Sequence, residues 1–97
     1  MEFENKKLKT RFTVPDKITV RQQLAYLSEA ANIVQHKMME QTWKAATLLI
    51  ETWECPHLPD YKLSLDEATD PKATDVIIWA ALEVKKYIND LDKLPKN

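Results

Sequence analysis

In Thr42-Trp43-Lys44-Ala45-Ala46-Thr47-Leu48-Leu49-Ile50-Glu51-Thr52-Trp53-Glu54, two apolar stripes run side by side at helical spacing. Thr42, Ala45 and Leu49 make one; Met39, Trp43, Ala46, Ile50 and Trp53 make the other. At about 100° per residue they cover a wide arc, which a helix buries in a core. Upstream the first stripe continues through Met38, Val34, Ala31, Leu27, Leu24 and Val20 as one narrow apolar face. Neither Pro nor Gly interrupts residues 19–54, and Asn32 or the polar stretch around Gln41 offers a place to bend. A straight helix of that length reaches roughly 50 Å, longer than a compact domain of this size is wide. The long helix therefore bends, or it projects toward a partner.

The signals on either side frame that helix. Thr19 and Gln22 fit a capping box, which sets a helix start near Val20. Before it, Leu8, Thr10, Phe12 and Val14 alternate with Lys9, Arg11 and Thr13, the period of a half-buried strand that Pro15 ends. After it, Pro56 and Pro59 open a loop in which Ser64-Leu65-Asp66-Glu67 has the form of a short capped turn. Asp70-Pro71 then reads as an N-cap acid followed by proline at the first helical position. Ile77, Ala81, Val84, Ile88 and Leu91 predict the buried stripe of a last helix, flanked by Val76, Ala80 and Tyr87 and stopped by Pro95. The expected fold is mainly α in a single domain, 1–97. It has an N-terminal strand or arm (1–18), a long helix (19–54), a loop (55–70) and a C-terminal helix (71–92).

Composition removes whole classes of function. The 97 residues include no glycine, where average usage of roughly 7% gives about seven. Dinucleotide fingerprints, P-loops and other glycine-built phosphate cradles are therefore excluded, and no cofactor is expected. The net charge is −1 and the pI about 6.1, with the basic side chains gathered toward residues 1–21 and the acidic ones at 51–75. A nucleic-acid binder needs a high pI and a basic face, so no nucleic-acid partner is expected. No apolar run approaches a membrane span and no signal-peptide pattern is present, which predicts a cytoplasmic protein without a membrane partner. The single core is small, of the size at which self-association often adds stability.

Little of the sequence carries chemistry. Cys55-Pro56-His57 with Asp60 nearby is the one place for a metal or a nucleophile, but a single Cys and two His fall short of a zinc set. Nothing nearby supplies an oxyanion hole or a third orienting group. His36 lies on a polar flank, and the acidic loop lacks the glycine of a calcium loop. Neither catalytic nor metal-binding residues are expected. What remains is apolar surface beyond one core. Ile78, Trp79 and Leu82 lie opposite the buried stripe of the last helix, while Met38, Met39 and Trp43 supply adaptable or hot-spot surface. These six are the candidate partner-binding residues. The competing reading is that the Leu8–Val14 strand covers the Trp79 face.

Phe12-Thr13-Val14-Pro15-Asp16-Lys17-Ile18-Thr19-Val20-Arg21-Gln22-Gln23-Leu24-Ala25-Tyr26 resembles the start of the small tail assembly chaperones of long-tailed bacteriophages. Leu48-Leu49-Ile50-Glu51-Thr52-Trp53, the Ser64-Leu65-Asp66 loop and Asp75-Val76-Ile77-Ile78-Trp79-Ala80 follow in the order of that family. The resemblance spans roughly residues 8–91. It implies a non-enzymatic, non-structural factor that keeps the long helical tape measure protein soluble until tail tube protein polymerises around it. This chain would correspond to the family's short form, a frameshifted longer form being the one that recruits tube protein. The alternative is a small helical adaptor or antitoxin that masks a partner protein, and a third reading is a DNA-binding regulator.

Overall fold

The computed structural model describes residues 1–31 and 38–92. Its centre is the alternating segment read from the sequence. Strand β2 (Thr10–Thr13) and the adjoining Val14 turn Thr10, Phe12 and Val14 inward and leave Lys9 and Arg11 exposed. The strand is no isolated arm, however. It lies between β1 (Glu2–Asn5) and β3 (Thr52–Glu54) in an antiparallel sheet of order β1-β2-β3.

Register gives that sheet two unlike faces. Phe3, Phe12 and Trp53 are direct partners across the three strands, with ring centroids 5.0 and 5.7 Å apart. Glu4, Arg11 and Glu54 make the neighbouring rung on the outer face, where Arg11 Nη2 donates to Glu54 at 2.7 Å. Such exposed ion pairs contribute about 0–1 kcal/mol each, so the aromatic row supplies most of the sheet's stability. The loop between β1 and β2 contains the one left-handed residue among those described, Lys9, at φ 53°. Glycine takes this conformation without penalty, whereas a side chain costs about 1 kcal/mol. The loop is held by the Leu8 N–H on Asn5 Oδ1 at 3.1 Å.

The single helix expected over 19–54 is not what forms. Residues 20–31 are helix α1 (Val20–Ala31), residues 38–47 are α2 (Met38–Thr47), and Thr52–Glu54 are strand. Helices α1 and α2 pack against each other, which two segments of one straight helix cannot do. At the end of α2 the Leu48 and Leu49 N–H groups bond back three residues, to Ala45 and Ala46 carbonyls, tightening the last turn without a glycine cap. The chain then extends, and Glu51 N–H bonds to Thr13 O at 2.8 Å. Residues 52–55 fit both periods. Thr52 and Glu54 face out while Trp53 and Cys55 face in, and pairing with β2 decides for strand.

The capping signals correspond to real ends. Thr19 Oγ1 accepts the Gln22 N–H at 3.1 Å, and Gln22 Oε1 accepts the Thr19 N–H at 3.0 Å. Helix α3 (Pro71–Asp92) has the expected bounds, and Asp70 Oδ1 accepts the Lys72 N–H at 2.9 Å. Ser64 starts a turn that does not grow into a helix. Val76, Ala80, Ala81, Val84 and Ile88 are buried, as are Leu49, Ile50, Ala45 and Ala46. Val20, Leu24 and Leu27 of the narrow upstream stripe are exposed, and Tyr26 takes the inward place on α1. Asn32, Val34, His36, Lys37 and Pro95 lie outside the described residues. The fold is thus a small α/β one, with three helices and a three-stranded sheet among the described residues, rather than mainly α with two long helices.

Candidate interaction surface

The aromatic row organises the candidate residues. Trp79 of α3 meets Phe12 edge-on with centroids 5.4 Å apart, and Tyr87, two turns later, meets Phe3 in the same way at 6.1 Å. The Tyr87 hydroxyl donates to the Pro15 carbonyl at 3.0 Å, tying α3 to the chain just past β2. Trp79 therefore faces the sheet and is half-buried, and the expectation that it projects away from the core is corrected. Trp43 is 3% exposed and packs edge-on against Trp53, so it belongs to the core and offers no docking surface. Neither tryptophan is placed like an exposed anchor.

Of the other four candidates, Met38, Ile78 and Leu82 remain at the surface and Met39 is half-buried against the core. Met38 is exposed, and Met39 and Ile78 line one groove of about 280 Å³ between the N-terminal parts of α2 and α3, together with Leu65 and Ala68. Leu82 follows Ile78 by one turn and is 48% exposed against 38%. The structure thus brings Met39 and Ile78 together, keeps Leu82 beside them along α3, and removes both tryptophans from the set.

Sequence reasoning missed the most exposed apolar surface. Val20, Leu24 and Leu27 are 74%, 59% and 43% exposed along one face of α1, with Arg21, Ala25 and Ser28 exposed beside them. The opposite side of the helix, carrying Gln22, Gln23, Tyr26 and Ala30, is the one turned inward. A signal for this was available. A stripe confined to alternating four- and three-residue steps is the narrow seam of a helix pair, whereas a core-facing helix shows a broader arc.

The Cys55–His57 loop is tied into the fold at both residues. Cys55 is buried and its Sγ accepts a hydrogen bond from Thr10 Oγ1 at 3.1 Å. His57 Nδ1 donates to Asp70 Oδ2 at 3.0 Å, so the loop is fastened to the N-cap of α3. The Lys72 N–H and then His57 hold the Asp70 carboxyl below the usual aspartate range. Burial pushes the Tyr26 phenol up. Among the described residues no three His, Cys, Asp or Glu side chains gather as a metal set, and no helix is long and apolar enough to cross a membrane. Scans against protein-family models and searches of curated proteins and of solved structures found no match to this chain.

Proposed function

We propose that this protein is a non-enzymatic assembly chaperone of the phage-tail kind, which holds the tape measure protein in soluble form in the host cytoplasm before the tail tube closes around it. The observation that carries the reading is the outward stripe of α1, where Val20, Leu24 and Leu27 stand exposed at helical spacing with nothing over them among the described residues. A long amphipathic client helix offers a matching stripe, and the two pack as a helix pair. Met38, at the start of the adjoining helix, extends the apolar surface.

Magnitudes favour reversible holding. Three aliphatic side chains contribute about 1.5–3 kcal/mol each on burial, set against roughly 4 kcal/mol or more for lost freedom on association. One copy therefore binds weakly, and many copies along a long client cover it yet leave when tube subunits compete. Recruitment of tail tube protein by a longer form of the chain completes this scheme.

Co-expression with a tape measure segment tests the proposal. The wild-type chain should raise the soluble fraction of the segment and co-purify with it, and Leu24→Glu with Leu27→Glu should abolish both effects while the chaperone itself stays folded. A client that is equally soluble with the wild type, with the double variant and with no chaperone would refute the reading.

A further inference from the structure

A second apolar surface, on α3, has a different character from that of α1 and points to a different partner. Ile78 and Leu82 lie at the middle of the helix face directed away from the core, since Val76, Ala80, Val84 and Ile88 on the other side are buried. One turn before them on the same face stands Asp75, and one turn after stands Lys85, both exposed. Read along the helix, the face runs acidic, apolar, apolar, basic.

That order is self-complementary in one direction only. We infer that this face of α3 pairs with the same face of a second copy of the chain, antiparallel, about a twofold axis beside residue 80. Ile78 then lies opposite Leu82 of the second copy and Asp75 opposite its Lys85, and the symmetry repeats both contacts. A parallel pair sets Asp75 against Asp75 and Lys85 against Lys85, which like-charge repulsion disfavours. The stripe of α1 has no such pattern, because the charge beside Val20 and Leu24 is Arg21 and the acid of that helix, Glu29, lies half-buried near its other side. The pairing of α3 is independent of client binding and leaves α1 open.

Sedimentation equilibrium across micromolar to millimolar concentrations tests the pairing. The wild-type mass should rise from 11.3 kDa toward twice that value. Leu82→Glu should weaken association on the order of a hundredfold, because it removes two symmetry-related apolar contacts and sets a carboxylate against each Ile78. Asp75→Lys and Lys85→Asp should each weaken it about tenfold, and the double exchange should restore it, because the pairs re-form with their signs swapped. Circular dichroism checks that every variant is folded. A wild-type chain that stays monomeric throughout, a dimer indifferent to Leu82→Glu, a double exchange no better than the single ones, or loss of the dimer in Leu24→Glu would each overturn the inference.

Discussion

Helices α1 and α3 carry apolar residues at similar spacing, yet they stand in opposite relations to the core. Helix α3 lies against α2 and sends Trp79 and Tyr87 onto the aromatic row of the sheet, so its apolar residues other than the outward Ile78 and Leu82 are at least half covered. Helix α1 packs on α2 alone among the major contacts and turns Tyr26 inward, leaving Val20, Leu24 and Leu27 in solvent. The difference teaches that periodicity reports an apolar face but not what covers it. On the inward side of α3 the cover is α2 and the chain's own sheet; the stripe of α1 stands exposed.

The α3 side of the comparison is the costlier to break. Phe12 touches Phe3, Trp53 and Trp79 and is fully buried, so Phe12→Ala should destabilise by about 3–5 kcal/mol in chemical denaturation. Trp79→Ala should cost roughly half as much, because that side chain is only half-buried. A Trp79→Ala variant as stable as the wild type would detach α3 from the sheet and return Trp79 to the surface.

Smaller effects sharpen the picture. Lys9→Gly should stabilise the protein by up to about 1 kcal/mol, since glycine adopts the left-handed loop position without a side-chain clash. No gain would place Lys9 in an ordinary conformation and loosen the β1–β2 register that sets the aromatic row. Tyr26 provides the inward control on α1. Its phenol is harder to ionise folded than unfolded, so the stability it confers is fully present below the unfolded value near ~10 and is lost as pH rises through the higher folded value. Alkaline unfolding should therefore be shallower in Tyr26→Phe than in the wild type. Equal alkaline slopes would mean that Tyr26 is solvated and that α1 is turned the other way.

Local signals in the sequence were read correctly where chemistry within a few residues decides structure. The capping box at Thr19, the Asp70-Pro71 start of α3 and the alternation through Phe12 each act over one turn or one strand. The elements that escaped depend on partners far along the chain. Glu2–Asn5 is a strand because Phe12 is opposite Phe3, and Thr52–Glu54 is a strand because β2 takes its backbone bonds. A run such as Leu49-Ile50-Glu51-Thr52-Trp53 satisfies the helical period as well, so spacing alone favoured extending the helix. The candidate surface divides in the same way. Ile78, Leu82 and Met38 are legible as excess apolar residues, and the place of Trp79 against Phe12 agrees with the competing reading that the Leu8–Val14 strand covers it, whereas the burial of Trp43 against Trp53 follows from a strand whose spacing reads as helix.

The central claim is that the apolar stripe of α1 is surface held for a partner, and the stability of Leu24→Glu tests it most directly. Glutamate is a good helix former and position 24 faces water, so the unfolding free energy should stay within about 0.5 kcal/mol of the wild type. Leu49→Ala, at a fully packed site, should lose about 2–5 kcal/mol in the same denaturant series. If Leu24→Glu instead falls as far as Leu49→Ala, the stripe is part of the core and the account of α1 is wrong.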